Sequence, residues 1–227
     1  MSMQYRYEMK YVLSDTEALA LQQQLKHLLY PDTHGKQQDG SYLIKSLYFD
    51  TIDNSALYEK NDGVLMRRKF RIRYYDNDSS FIRLEKKMKH NNMTAKQQAR
   101  ITRMEYNAIV AGNYDAVGNT HPLVIEFISL CKAEHLVPSV VVEYNRLAFT
   151  YPVSDVRITF DRKIRSGMYT KDPIGNPHAM MDVLDPGLQV LEVKYNEVLP
   201  SAVAKVISGI PMRREAVSKF ARCAGWK

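Results

Sequence analysis

The sequence predicts an α+β fold, an extended antiparallel sheet carrying a few short helices. Two observations lead there. Seven runs rich in Val, Ile, Tyr, Phe and Thr alternate with period two, at 3–13, 42–50, 64–75, 79–89, 140–151, 155–162 and 188–195. Between them stand two capping boxes, Ser14-Asp15-Thr16-Glu17 and Thr102-Arg103-Met104-Glu105, each opening a helix. No Gly/Ser-rich or Pro-rich linker and no internal repeat divides the 227 residues, so a single domain over 1–227 is expected.

The elements follow in order. Ser14 can accept from the Glu17 amide while Glu17 reaches back, and the helix it opens runs to about Leu29 with Leu21, Leu25 and Leu28 on one face. Asp62-Gly63 reads as a turn into the strand that starts at Val64, and Tyr75-Asp76-Asn77-Asp78-Ser79-Ser80 as a hairpin turn. The helix after Thr102 ends at Gly112, and 122–135 is amphipathic. A second hairpin is expected around Pro152-Val153-Ser154-Asp155. The chain closes with a short helix at 201–208 and a longer amphipathic one at 213–224.

Composition narrows the function. Hydrophobic residues at 45% and charged residues at 25% exclude a wholly disordered chain. Thirty-two Lys and Arg against 25 Asp and Glu give +7, which suits an anionic partner: nucleic acid, phosphate or a membrane surface. Two cysteines, Cys131 and Cys223, cannot build a disulfide framework or a Cys-based zinc site, and buried thiols in a reducing compartment are expected. His27, His34, His90, His121, His135 and His178 are scattered without ligand spacing. The first fifteen residues carry charges where a signal peptide needs an apolar core, and no window holds 18 uncharged apolar residues, so a cytoplasmic chain without a membrane span is expected. The glycosylation patterns at Asn77 and Asn92 carry no weight without a secretion signal. Phosphate-loop, dinucleotide-turn and His-Glu-x-x-His motifs are missing, as is any Ser-His-Asp or Cys-His arrangement.

The polar faces of the strands are the unusual feature. Residues two apart share a face of a strand. Such faces carry Arg6, Glu8 and Lys10; Arg67, Lys69, Arg71 and Arg73; Arg83, Glu85, Lys87 and Lys89; Tyr144 and Arg146; Arg157, Thr159 and Asp161; Glu192 and Lys194. Opposite them lie Ile72 and Tyr74, Ile82 and Leu84, Ile158 and Phe160, Leu191 and Val193. An open sheet with a solvated ionic face would explain each strand singly. Recurrence in six strands fits better with a sheet closed on itself, its ionic face inside, where a polyanion would offset the repulsion between cations.

In their order, Glu8-Met9-Lys10, Arg71-Ile72-Arg73, Glu85-Lys86-Lys87, Tyr144-Asn145-Arg146, Arg157 with Asp161, and Leu191-Glu192-Val193-Lys194 resemble the triphosphate tunnel metalloenzymes of the CYTH-like superfamily. Three phrases resemble the VTC domain within it, the polyphosphate polymerase module: Ser46-Leu47-Tyr48-Phe49-Asp50-Thr51, Val142-Glu143-Tyr144-Asn145-Arg146-Leu147-Ala148-Phe149 and Ser218-Lys219-Phe220. The likeness covers residues 4–222. It implies an eight-stranded antiparallel β tunnel, a closed barrel with helices packed outside. It further implies that Lys10, Arg71, Arg73, Lys87, Lys96, Tyr144, Arg146, Arg157, Lys194, Ser218 and Lys219 bind phosphate, with Arg71, Arg73, Lys87, Arg146 and Arg157 serving transfer. Glu192, with Glu8 and Glu85 as further carboxylates, would hold Mn²⁺ or Mg²⁺.

Two positions depart from the family pattern. Arg6 stands where tunnel triphosphatases open with a glutamate, which argues against a plain two-metal triphosphatase, and Ala216 stands where a further lysine can occur. No regulatory phosphate-sensor segment is recognisable. The implied reaction moves the γ-phosphoryl of ATP to a polyphosphate chain. Hydrolysis of triphosphates, and polyphosphate binding without turnover, are the alternatives. The 15 tyrosines keep stacking on nucleic-acid bases as a further reading, below these in rank.

Overall fold

The computed structural model describes residues 4–35, 37–76, 78–91, 93–167, 174, 179–212 and 214–225. The expected His178, the turn residue Asn77, Asn92 and Arg213 lie outside them. The strands are β1 (Arg6–Ser14), β2 (Tyr30–Pro31), β3 (Tyr42–Asp50), β4 (Met66–Tyr75), β5 (Asp78–His90), β6 (Met93–Ile101), β7 (Val137–Thr150), β8 (Arg157–Gly167), β9 (Met181–Asp182) and β10 (Leu188–Tyr195). The helices are α1 (Asp15–Leu25), α2 (Ser55–Asn61), α3 (Arg103–Val110), α4 (Pro122–Ala133), α5 (Ser201–Ser208) and α6 (Lys219–Ala224).

All strand pairings are antiparallel, in the order β2-β7-β3-β4-β5-β6-β1-β10-β8-β9 with β7 also on β8. Eight strands therefore form a closed ring: β7, β3, β4, β5, β6, β1, β10, β8 and back to β7. Its thinnest described seam is β6 to β1, where Arg6 faces Thr94 and Tyr7 faces Met93.

Helices bury the apolar outer face of this ring. On one side α3 and α4 cover β3 to β6, and Phe127 stands 4.9 Å from Phe49 and 5.2 Å from Phe70. Its truncation to Ala would cost about 3–5 kcal/mol. On the other side α1 and α5 lay Leu21, Leu25, Val203 and Ile207 against Ile158, Phe160, Leu191 and Val193. Both capping boxes form: Ser14 Oγ accepts from Glu17 N at 3.2 Å, and Thr102 Oγ1 from Glu105 N at 3.1 Å. The second hairpin closes with Tyr151 N donating to Val156 O at 3.0 Å. Cys131 and Cys223 are free and buried, and burial pushes both thiols up to about 12.

Besides the two-residue strands β2 and β9, three elements differ from the sequence reading. The strand β6 was not anticipated, because its alternation is written in Ala95, Ala99 and Gln98 rather than β-branched residues. Helix α2 was also missed. Asn54, at its N-cap, is left-handed at φ 60° and makes no side-chain cap, and the free amides of Ala56 and Leu57 are taken instead by Asp50 at 2.8 and 3.2 Å. The expected helix over 213–224 is only α6. Before it, residues 214–218 run as an extended strap: Tyr11 bridges Arg214, Glu215 N donates to Lys10 O at 3.0 Å, and Lys10 Nζ donates to Val217 O at 3.0 Å. No described helix is long and apolar enough to cross a membrane.

Candidate active site

Alternation delivers the ionic faces to the inside of the ring, as expected from the period-two pattern. There they line a cavity of about 510 Å³. Its wall includes Glu8 and Lys10 of β1, Tyr48 of β3, Arg71 and Arg73 of β4, Lys87 of β5, Tyr144 and Arg146 of β7, and Glu192 and Lys194 of β10. The strap and α6 add Ser218, Lys219 and Phe220. Arg67, Lys69, Lys89, Lys60 and Arg214 surround its mouth.

Two carboxylate centres organise the interior. Glu85 is fully buried and takes Arg71 Nη2 at 2.6 Å, Lys96 at 3.2 Å and Arg73 at 3.7 Å. Arg71 also donates to Tyr48 Oη at 2.7 Å, and Arg73 to Ser46 Oγ at 3.1 Å and Tyr144 Oη at 3.0 Å. Both guanidiniums are thus fixed before any ligand arrives. The second centre is a row of carboxylates, Glu8, Glu192 and Asp161. Lys10 sits 3.1 Å from Glu8 and 3.4 Å from Glu192, and Lys194 lies 3.9 and 3.0 Å from the same two. Lys219 reaches Glu192 at 2.6 Å and Asp161 at 2.5 Å, while Arg146 holds Asp161 with two bonds of 2.7 Å and Glu192 at 3.5 Å.

The protonation states follow from this crowding. Burial would raise the Glu192 carboxyl, but Lys194, Lys219, Lys10 and Arg146 hold it well below its ordinary range. Glu85 is likewise held low against burial by Arg71, Arg73 and Lys96, and Glu8 by Lys87, Lys10 and Lys194. Lys87 is pushed down to about 7 by burial, even though it pairs with Glu8 at 2.9 Å, because Lys10 and Lys194 share that carboxylate. Lys69 makes no ion pair among the described residues, rests 4.1 Å over the Phe220 ring, and burial beside Arg67 brings it to about 7.

Five residues singled out in the sequence do not line the cavity. Arg157 shares the inner face, but it pairs with Lys194 at the far end of β8 and gives its guanidinium to Asp32 and, at 3.0 Å, to Tyr42 Oη. Lys96 and Glu85 share the inner face with Arg71 and Lys87 but do not line the cavity themselves, and they are joined to each other at 3.2 Å. Arg83 does not line the cavity and stacks on Phe81 at 4.2 Å. Arg6 does not line the cavity either. Sequence reasoning missed Lys60 and Arg214, which reach the mouth from α2 and the strap. No strand alternation marks them, and only the unforeseen course of those two segments brings them there.

A family model for the VTC domain matches residues 5–225. The chain belongs to the VTC-domain family. Comparison with curated proteins returns no match. Among solved structures, this VTC domain is similar to a Vibrio parahaemolyticus protein provisionally named an adenylate cyclase, with TM-score 0.52, 12% identity, and coverage of 97% of this chain and 98% of that one. A Bacillus halodurans protein with the same provisional name aligns with TM-score 0.51 and 11% identity over 92% of this chain and 89% of its own. At such identities the likeness is one of fold, and it extends to nearly the whole of both neighbours.

The VTC domain's donor set fits a hard divalent ion. Glu8 and Glu192 already converge on one cationic point, the Lys10 ammonium. Ions such as Mg²⁺ take one or two carboxylates and complete their shell with water and phosphate oxygens. No cluster of three or more His, Cys, Asp or Glu ligands occurs among the described residues, so phosphate oxygens would be needed in that shell.

Proposed function

We propose that this VTC domain is a polyphosphate polymerase-like phosphotransferase that moves the γ-phosphoryl of ATP onto a polyphosphate chain inside an eight-stranded tunnel. The observation that carries the reading is the interior charge. Eight cations, Lys10, Arg71, Arg73, Lys87, Lys96, Arg146, Lys194 and Lys219, surround four carboxylates, Glu8, Glu85, Asp161 and Glu192, a formal surplus of four. A linear phosphate anion supplies the missing negative charge along the length of the cavity.

Transfer is in line. A terminal oxygen of the acceptor chain forms a new bond to the γ-phosphorus while the bond to the β,γ-bridging oxygen breaks, and ADP leaves with that electron pair. The attacking oxygen is already anionic, so no general base is required. Arg71 and Arg73 suit bidentate capture of the transferring phosphoryl. Lys10, Lys87, Lys194, Arg146 and Lys219 spread positive charge over its neighbours, with hydroxyl protons from Tyr144 and Ser218. Arg157 would meet phosphate only toward the far end of the ring. Glu192 and Glu8 would hold Mn²⁺ or Mg²⁺, which when bound polarises phosphoryl oxygens and neutralises their charge. Hydrolysis fits less well, since Glu8, Glu85, Asp161 and Glu192 are each ion-paired to two or more cations and are poor bases for water.

Incubation of the purified chain with ATP and Mn²⁺, read by gel for polymer and in parallel for free phosphate, tests this. Long polymer is the expected result. Free phosphate alone would mark a triphosphatase, and neither product with retained tripolyphosphate binding would mark a binding module.

A further inference from the structure

Five cations at the cavity mouth, Lys60, Arg67, Lys69, Lys89 and Arg214, make no ion pair among the described residues. Arg67 and Lys89 are direct cross-strand partners, an arrangement that destabilises a sheet. Lys60 feels both Arg67 and Lys10, and Lys89 feels Arg67, Lys10 and Lys60. Of the nearby carboxylates, Glu215 faces Arg222 at 3.9 Å, while Glu59 and Glu8 attract Arg67 and Lys89 without forming an ion pair with them among the described residues. Beyond the strap lies a second, shallower groove of about 610 Å³, and Lys60, Arg214 and the strap itself line both spaces. A linear anion leaving the cavity by this mouth would therefore pass between unpaired cations and continue into the groove.

We propose that Lys60, Arg214, Arg67 and Lys89 form an outer anion subsite that grips the phosphates of a polyphosphate chain beyond those held in the cavity, so that affinity grows with chain length. The position of the chain's inner end rests on the reading given under Proposed function. Crowded like charges are held at a cost that such a chain offsets. Tripolyphosphate, seated on the paired interior cations, would not reach the groove side.

The test is calorimetric titration of the full chain, free of metal and nucleotide, with tripolyphosphate and with polyphosphate of tens of phosphates. The variant is Lys60→Gln with Arg214→Gln. Wild type is expected to bind the long chain more tightly. The variant should lose about tenfold or more for the long chain and stay within about twofold for tripolyphosphate. Its melting temperature should hold or rise, because repulsion is relieved. Equal weakening of both ligands, or no weakening of either, overturns the outer subsite. If wild type binds only the long chain and the variant loses it, the outer subsite stands and the cavity reading falls. Binding of neither ligand to wild type ends both.

Discussion

Inside the ring, Lys10, Arg71, Arg73, Lys87, Lys96, Arg146, Lys194 and Lys219 each have a carboxylate at 2.5 to 3.9 Å; at the mouth, Lys60, Arg67, Lys69, Lys89 and Arg214 have none that close among the described residues. One pair of lysines makes the contrast plain. Lys10, between Glu8 and Glu192, is raised above the ordinary lysine value despite burial, whereas Lys69 is lowered to about 7. Carboxylates let the interior keep its cations in fixed geometry without a ligand, which is the preorganisation that electrostatic catalysis needs. At the mouth, Glu59 near Arg67 and Asp50 near Lys69 offset the repulsion only in part, and an arriving anion relieves the rest. The same net sign thus serves two ends: held geometry within, attraction without.

The largest effect that can break this contrast is expected at Glu192. Glu192→Gln should lower turnover by about a hundredfold or more, as for loss of a strong electrostatic contact. It also strips a carboxylate from Lys10, Lys194, Lys219 and Arg146, so stability should fall by about 3 kcal/mol, read by urea unfolding. Metal-free tripolyphosphate affinity should hold or rise, since one repelling carboxylate is gone. Unchanged stability would show that the interior does not depend on its carboxylates.

Next comes Arg73→Ala. Phosphate affinity and turnover should fall together, affinity by about tenfold or more, as measured by titration. A loss confined to turnover would remove Arg73 from phosphate binding.

A smaller effect sharpens the mouth side. Lys69 faces Arg67 and Lys87 on neighbouring strand positions, Lys60 of α2, Asp50 of β3 and Phe220 of α6. With its folded value near 7 against 10.5, the unfolded chain binds this proton first as pH falls. The stability it contributes is present above 10.5 and lost toward 7. Phosphate binding runs the other way, because the cation is the binding form. Tripolyphosphate affinity should therefore rise as pH drops from 8 to 6, and Lys69→Met should flatten that rise, with Lys69→Arg weakening its pH dependence while keeping affinity. A profile unchanged in Lys69→Met would sink the assignment.

The smallest effect is a control on the outer surface. Arg68 pairs with Glu134 where both side chains are over 40% exposed. Arg68→Ala should change stability by no more than about 1 kcal/mol and leave phosphate binding untouched.

Much of this was legible from the chain because strand alternation is strict. Positions 8 and 10, 71 and 73, 144 and 146, 192 and 194 are two apart, so their common face followed from spacing, and Ile72, Val193 and Phe160 took the helix-covered face for the same reason. Which ionic faces meet was less legible. Arg157 obeys the alternation, yet Asp32 and Tyr42 claim it, and no local pattern reveals a partner 125 residues away. The mouth was hidden because Lys60 depends on a helix capped from another element by Asp50, and Arg214 on a strap that helical periodicity disguised.

The most direct test of the central claim is competition for the interior cations. Tripolyphosphate should raise the melting temperature of the wild-type chain by mass action, the shift should shrink steeply with added salt, and Arg71→Met should abolish most of it. Single-stranded RNA of matched charge should stabilise less. Equal or greater stabilisation by RNA, or a tripolyphosphate shift that Arg71→Met leaves intact, would contradict an interior built for linear phosphate anions.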